Sequence, residues 1–478
     1  MKRKAISRTA LWIIIAVVVI VAVVGGVAAW YATRPPPPTP TPTSVTIGIV
    51  APLTGSMASW GTTYEWLVPY IQNYINQNMG GIYMPAYGKK IPVNIILMDD
   101  QSSPSQASAV ATQLATQYHV NLLIASEVGT ESVAATSAGE KYGVPTLAVE
   151  TAVEPWIAGA PSGGWHWAYA TGESFAAFAY VYPQIWNAAR EEYPGQVNNV
   201  VAVWSTSDAD GEEFQSLITA VAAADGYQVV NLGTFAPGTT DFTSAILKAK
   251  AANATILTGL PIPPDFTTFW KQAHTLGWVP KVATVGRAYL FPSDITAQGD
   301  SLGFGLASEL WWYPTLNYTD PILGISTLQW AYLYEEKTGQ EWNPSLGFLL
   351  EGMDVAVYAI EHASSLSPQA LNQSLANVDT NTIMGPVKMG SLPSYVQQIM
   401  AQYEPNMLQP QNLGHYAVFP PLGGQWVPNP QWPSTPWTIV PVYVPPGMPS
   451  VTTYPIVLIP ATPTNATPPY TPPSWVPP

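Results

Sequence analysis

The side chains able to do chemistry are few, and most are badly placed for catalysis. The chain has no cysteine, which removes thiolate nucleophiles, thiolate metal sites, disulfides and a thioether lipid anchor. The histidines, His119, His166, His274, His362 and His415, are scattered. None forms a His-Glu-x-x-His helix or another metal-ligand spacing, so each reads as an ordinary surface or core residue. Gly385 to Ser391 contains Gly-x-x-x-x-Gly but continues Ser391-Leu392, without the lysine a phosphate-binding loop needs. Gly172-Glu173-Ser174-Phe175-Ala176 has the outline of a nucleophile elbow, which requires a strand before and a helix after. Residues 166–171 supply such a strand, but Thr171, Glu173 and Ser174 suit a helix start, and capping is the expected role. No metal, cofactor or catalytic residue is expected, and the chain does not read as an enzyme.

What remains is a set of short polar loops. Ala51-Pro52-Leu53-Thr54-Gly55, Ser126 to Ser132, Glu150-Thr151 and Ser205 to Gly211 each follow an apolar β-rich run. In open α/β sheets, ligands sit beyond the carboxyl ends of strands. Loop amides beside a helix start, as at Gly129-Thr130, favour a carboxylate or other anion. One such loop is an ordinary turn; four in series along one edge point to binding.

The elements that must position these loops alternate. Val45–Val50, Val93–Met98, Val120–Ala125 and Val144–Val149 read as strands, separated by helical stretches at Trp60–Asn78, Pro104–Tyr118 and Thr130–Tyr142. A second series runs from the helical Glu173–Glu192 through Val200–Trp204, Gly211–Ala224, Gln228–Leu232, Phe242–Ala251, Thr255–Thr258, Phe266–Leu276 and Val282–Val285. Continuous apolar strands alternating with helices imply parallel sheets covered on both faces, and two series imply two sheets. Phe304–Trp311, Pro321–Lys337 (with Thr319-Asp320 as its cap), Leu346–Ala363, Pro368–Ala376 and His415–Phe419 complete the body.

Composition bounds the rest. Of 478 residues, 47% are hydrophobic and 10% charged, far below the usual quarter or so. The net charge is −14. Beyond Pro35 there are eleven basic and thirty acidic side chains, which argues against nucleic acid, whose phosphates need Lys/Arg. Lys2, Arg3, Lys4 and Arg8 precede an uncharged run from Thr9 to Thr33. Its core, Leu11–Ala29, nearly spans a ~30 Å hydrocarbon layer, with the N-terminus inside and the body outside. The alternative is a cleaved signal peptide, although the run exceeds the usual h-region of about 7–15 residues. Both readings export the body, and sequons at Asn253, Asn317, Asn372 and Asn465 are compatible with that. Six of the 49 prolines lie in Pro35–Pro42 and 17 follow Trp426. The first group reads as a spacer and the second as an extended stalk, with Val440–Val444 and Ile456–Ile459 apolar enough to dock.

At this point the sequence resembles a family. Val45-Thr46-Ile47-Gly48-Ile49-Val50-Ala51-Pro52-Leu53-Thr54-Gly55, with Trp60-Gly61, is similar to the opening strand and loop of type I solute-binding proteins of the branched-chain amino-acid-binding group. Met98-Asp99-Asp100-Gln101-Ser102-Ser103-Pro104, Tyr142-Gly143-Val144-Pro145, Thr240-Asp241-Phe242-Thr243, Gly385-Pro386-Val387 and Gly414 to Val427 continue the likeness in order. It covers about Val45 to Trp426. It implies an α/β, two-lobed type I periplasmic-binding-protein fold, each lobe a parallel sheet flanked by helices, joined by a three-segment hinge. Residues 1–10 would be cytoplasmic, 11–33 the transmembrane anchor or uncleaved signal and 34–44 the Pro/Thr-rich spacer. Lobe 1 would be 45–167 with 286–409, lobe 2 would be 168–285 with 410–426, and 427–478 the Pro-rich tail. The resemblance implies capture of a small solute between the lobes and delivery to the permease subunits of an ABC importer. A ligand-sensing ectodomain and a structural envelope protein are the alternatives.

Carried over position by position, the resemblance implies Trp60 as the aromatic over the ligand, which also makes it the stacking residue if the 19 Trp and 25 Tyr signal sugar binding. Gly129 and Thr130 fall in the carboxylate-binding loop. Glu150 stands where a small residue is usual, beside Thr151 at the family's Thr. Asp210 replaces a ligand-contacting Tyr, Ile262 replaces another aromatic, and Phe348 lines lobe 1. Arg287 stands where the family has the acid that holds the ligand ammonium. An Arg beside an anion-favouring loop suits a solute with an acidic group. Glu150 and Asp210 suit a cationic or hydroxylated one. Alternatively, Arg287 pairs with Glu150 or Asp210 across the cleft. The expectation is a small polar or amphipathic solute (amino acid, organic acid or amide-like) with an acidic group, rather than a plain branched-chain amino acid.

Overall fold

The computed structural model describes residues 7–33, 42–126, 128–428 and 437–460. The apolar run after Arg8 forms one helix, α1 (Arg8–Thr33). Within it, Arg8–Gly26 is the one span among the described residues long and apolar enough to cross a membrane, and its Leu, Ile and Val side chains are exposed. Met1–Pro42 and Thr43–Pro478 form separate units. Residues 34–41 of the expected spacer lie outside the described residues.

The body alternates as its hydrophobic pattern predicts. β1 (Val45–Ala51) is followed by α2 (Ala58–Asn73), which carries Pro69 internally and runs into a π turn at Tyr74–Met79. A hairpin of β2 (Ile82–Met84) and β3 (Lys89–Ile91) leads to β4 (Val93–Asp99), α3 (Pro104–Thr116), β5 (Leu122–Ser126), α4 (Gly129–Tyr142), β6 (Thr146–Ala152), α5 (Val153–Ala158) and β7 (Ala168–Glu173). Then come α6 (Phe175–Glu192), β8 (Val200–Thr206), α7 (Ala209–Ala224), β9 (Gln228–Phe235), α8 (Thr243–Ala251), β10 (Ile256–Leu260), α9 (Pro263–Thr275), β11 (Val282–Val285), α10 (Pro292–Gln298) and β12 (Leu306–Leu310). The last stretch holds α11 (Thr327–Thr338), α12 (Ser345–His362), α13 (Pro368–Ala376), the hairpin β13 (Asp379–Thr382) and β14 (Gly385–Lys388), α14 (Ser394–Tyr403), β15 (Tyr416–Val418), β16 (Leu422–Pro428) and β17 (Trp437–Tyr443).

Two large sheets result. The first has the order β15-β7-β6-β5-β1-β4 and is parallel throughout. The second has the order β17-β16-β12-β11-β10-β8-β9, with its last two strands, β16 and β17, antiparallel. Both are buried on two faces, as continuous apolar strands require; β5, β6 and β8 have no exposed residue. Much of the aromatic content is core: Trp156, Trp186, Trp204, Trp270, Trp311, Trp312, Trp330 and Trp426 are fully buried, and Trp204 stacks on Phe269 at 4.3 Å.

The chain passes between the sheets three times, but not at the expected residues. β7 extends the first sheet beside β6, so the first crossing follows Glu173 rather than 167. β12 pairs with β11 in the second sheet, so the return follows Leu310 rather than 285. β15 closes the first sheet on β7, so the last crossing follows Val418 rather than 409. The sequence could not tell these apart because each displaced strand is apolar enough for either sheet.

Two further expectations are corrected. The helix expected at Pro321 starts at Thr327, where Ser326 and Gln329 form a reciprocal capping box. Asp320 instead closes a turn, its carboxylate accepting from the Ile322 and Leu323 amides and from Trp330 Nε1 at 2.7, 3.1 and 2.8 Å. The tail is not a free stalk over 437–460. β17 pairs with β16, Trp437 packs on Phe304 at 4.2 Å, and Val457 exchanges two hydrogen bonds with the Gln425 side chain. Its prolines are tolerated because β17 is a sheet edge, where an N–H can be spared. Residues 429–436 and 461–478 of the tail lie outside the described residues.

Candidate functional site

The carboxyl ends of both sheets carry the polar loops. Asp99, the last residue of β4, shapes the first of them. Its carboxylate accepts from the Leu53, Thr54 and Gln101 amides at 3.0, 3.1 and 2.8 Å and from the Thr54 hydroxyl at 2.6 Å. Burial opposes its charge, but these donors hold its carboxyl below the ordinary value. Two sequence motifs, the Ala51–Gly55 loop and the Asp99-Asp100 element, are therefore one structural device. Helix α2 then starts close enough that a Cβ on Gly61 would stand 2.4 Å from Pro52 O, so only glycine fits there.

Glu150, at φ +61°, is buried at the end of β6 and accepts hydroxyl hydrogen bonds from Tyr64 of α2 and Ser345 of α12. The Tyr64 hydroxyl also meets Ser126. Burial pushes the Glu150 carboxyl up to about 8, against the pull of these donors. Glu150 thus ties β5, β6, α2 and α12 together within the first lobe and does not reach Arg287. Thr151 is buried beside it, with Oγ1 unpartnered.

Arg287 follows β11, also at positive φ (+63°). Its guanidinium reaches Asp208 Oδ2 at 2.9 Å, Asp210 Oδ2 at 3.4 Å and Leu260 O at 2.8 Å. All four residues belong to the second sheet and its loops, so the pairing is within one lobe and not across the cleft. Asp208 also caps α7, accepting from Gly211 N at 2.7 Å. Asp210 crosses to the other lobe: its Oδ2 lies 2.9 Å from where a Cβ on Gly129 would stand. Gly129, at φ +64°, opens α4, so the helix start expected to receive a ligand anion is faced by the protein's own carboxyl. Burial raises Asp210 to about 7, with Arg287 pulling the other way.

The other expected positions divide. Trp60 is buried and meets Phe291 of the second lobe edge-on at 5.3 Å, its Nε1 unpartnered. Phe348 of α12 is buried edge-on to Trp311 at 5.4 Å, next to the second crossing. Ile262 is half-buried ahead of α9, its amide donating to Thr206 Oγ1 at 2.9 Å. Thr130 is exposed and donates to Glu131 at 3.2 Å. Ser174 behaves as a cap: its hydroxyl accepts from Ala176 N at 3.2 Å and donates to Glu154 at 2.5 Å.

Sequence reasoning missed Asp208, Glu154, Glu173 and Glu309. Glu309 on β12 accepts from the Tyr182 and Ser308 hydroxyls and from the Arg287 amide at 3.1 Å. Glu173 ends β7 at the first crossing, 6% exposed, with Oε2 unpartnered. Its carboxyl is pushed far up by burial and by Glu309, Asp210, Glu150 and Glu154 around it. No sequence signal marks Glu173 as more than a cap residue. Buried polar atoms without a partner thus arise from both lobes: Thr151 Oγ1, Glu173 Oε2, Asp210 Oδ1 and Arg287 Nε. Such groups call for a partner from outside the chain.

Comparison with known proteins agrees with this architecture. The family described as "Periplasmic binding protein" matches residues 44–401. Among solved structures, the branched-chain amino acid transporter substrate-binding protein LivJ from Streptococcus pneumoniae, in complex with isoleucine, is 16% identical. That match covers 80% of this chain and 95% of LivJ, with a TM-score of 0.62. A leucine-binding protein LivK from Thermotoga maritima is 18% identical over 72% of this chain and 91% of its own, TM-score 0.58. A putative branched-chain amino acid ABC transporter from Silicibacter pomeroyi is 16% identical over 87% and 99%, TM-score 0.62.

Proposed function

Because the chain belongs to the periplasmic binding protein family, a family of solute binders rather than catalysts, we propose that it is an extracytoplasmic solute-binding protein. It captures a small polar or amphipathic solute between its lobes and delivers it to the permease subunits of an ABC importer. The observation that carries this reading is the presence of buried, unpartnered polar atoms at the carboxyl ends of both sheets, Thr151 and Glu173 in one and Asp210 and Arg287 in the other. A solute that satisfies atoms of both lobes binds the closed state better than the open one, and that difference drives closure. The similarity to LivJ and LivK supports delivery to an importer. Helix α1 supports tethering of the body to the outer face of the membrane, and a cleaved signal is its alternative.

Arg287 is already matched by Asp208 and Asp210, which withdraws the ground for expecting an acidic group on the solute. Titration calorimetry of the full chain in nanodiscs, against amino acids, organic acids, amides, amines and sugars, tests the reading. Saturable binding of one class at one site per chain is expected. Absence of binding across all classes contradicts it.

A further inference from the structure

Among the described residues, thirteen carboxyl side chains are buried, from Asp100 to Asp354, against a single buried cation, Arg287. Buried charge must be neutralised by a counter-charge, a hydrogen-bond set or a proton. Several of the thirteen are locally explained: Asp320 by two amides and an indole, and Glu150 by two hydroxyls. Glu173 is different. Four carboxyls lie within electrostatic reach of it, Glu150 on β6, Glu154 on α5, Asp210 on α7 and Glu309 on β12. Its Oε2 has no partner, and neither does Asp210 Oδ1.

Resting on the solute-binding reading, we infer that the cleft selects small primary amines that lack a carboxylate, with the ammonium group gripped by Glu173 and Asp210. A primary ammonium has three N–H donors and no acceptor. Glu173 Oε2, Asp210 Oδ1 and Thr151 Oγ1 are three buried acceptor atoms without partners. A carboxylate would instead find the one guanidinium of this region already bound at 2.9 and 3.4 Å to Asp208 and Asp210. The α4 start that would otherwise receive it is faced by Asp210. Arg287 Nε belongs to a cation already matched and accommodates a neutral oxygen. Glu173 is placed for this role by the fold: it is the last residue of the strand from which the chain leaves the first lobe, so it lies at the pivot of closure, within electrostatic reach of carboxyls from both sheets.

The test uses four solutes that share a branched aliphatic tail and differ in head group: isoamylamine (cation), isovaleramide (neutral amide), isovalerate (anion) and leucine (zwitterion), each titrated into the full chain in nanodiscs. Amines and amino acids of other shapes are added as pools. Amine binding at least about tenfold tighter than that of the carboxylate or amino acid with the same tail supports the inference, a charge-assisted contact being of that size. Glu173→Gln, which keeps the shape and removes the charge, is expected to weaken amine binding by about 10- to 100-fold. A second readout needs no variant. Asp210 is raised to about 7, burial being the first cause, so at pH 6 it holds a proton in most of the free protein, and Glu173 is shifted in the same direction. Amine binding then releases protons, seen as a dependence of the binding heat on buffer ionisation enthalpy. If carboxylates or amino acids bind and close the lobes while amines do not, or if amine binding releases no proton, this inference falls and the solute-binding reading stands. If nothing in any pool binds, both fall.

Discussion

Replacing Glu150 by glutamine should leave stability unchanged in acid solution and raise it in alkaline solution. In the fold Glu150 sits among Tyr64, Ser126 and Ser345, with no cation in contact. Its carboxyl is raised from the ordinary 4.5 to about 8, chiefly by burial. The folded state therefore holds the proton more tightly than the unfolded state. The stabilisation is fully present below about pH 4.5 and is lost as pH rises through about 8. The span between those values corresponds to a ceiling of about 5 kcal/mol. Relaxation of the site and its effective dielectric bring that to on the order of 2–3 kcal/mol, or roughly 5–10 °C in melting temperature for a lobe of this size. Glutamine has the same shape, accepts the same hydroxyls and does not titrate. Thermal unfolding of the solute-free protein at pH 5 and pH 9 is the assay. At pH 5 wild type and Glu150→Gln should melt within about 2 °C of each other; at pH 9 the variant should melt higher by roughly 5 °C or more. Other raised carboxyls, such as Asp294 and Glu335 at about 7, lower both curves alike, so the difference isolates Glu150. Parallel curves, or a wild type that gains stability from pH 5 to pH 9, would refute the reasoning.

Arg287→Met should destabilise the fold by about 3 kcal/mol at pH 8, because it leaves Asp208 and Asp210 without their counter-charge. At pH 5 the loss should shrink as Asp210, raised to about 7, takes up a proton; denaturant melts at the two pH values read this. Gly129→Ala places a side chain at φ +64°, 2.9 Å from Asp210. It should cost about 1–2 kcal/mol and weaken solute affinity about tenfold by opposing closure, which calorimetry measures. Trp437→Ala removes a buried ring that packs on Phe304 and should cost about 3–5 kcal/mol in thermal unfolding. Unchanged melting would show that the tail strand contributes nothing to the second lobe.

The two alternating series were legible because a strand buried on both faces and an amphipathic helix leave different periods in the sequence. The cap at Ser174 was legible for the same local reason. Which sheet takes β7, β12 or β15 was not, since a strand's apolarity says that it is buried and not beside what. Nor was the helix start after Asp320. Thr319-Asp320-Pro321 satisfies every local rule for a cap, yet Ser326 and Gln329 satisfy them reciprocally, and the Trp330 indole draws Asp320 into a turn. In the site, Trp60, Asp210, Thr151 and Arg287 were named by resemblance, and as ligand contacts they are proposals. Of the alternatives for Arg287, pairing with Asp210 is the one observed, though within one lobe, and its second partner Asp208, 79 residues away in sequence, was missed. Glu173 escaped because a carboxylate next to a helix start has a sufficient local explanation, and only the fold brings Asp210 and Glu309 to it.

The central claim is that a solute closes the two lobes on each other. The chain has no cysteine, so Ser56→Cys and Ala236→Cys, exposed on cleft-side loops of the first and second lobe, accept a donor–acceptor dye pair without competition. Energy transfer is then followed in the full chain in nanodiscs while isoamylamine, isovaleramide, isovalerate and leucine are titrated in turn. A saturable rise in transfer efficiency, tracking the calorimetric isotherm of the solute that binds, is the predicted result. A solute that saturates the protein by calorimetry and leaves the transfer efficiency unchanged would contradict the account.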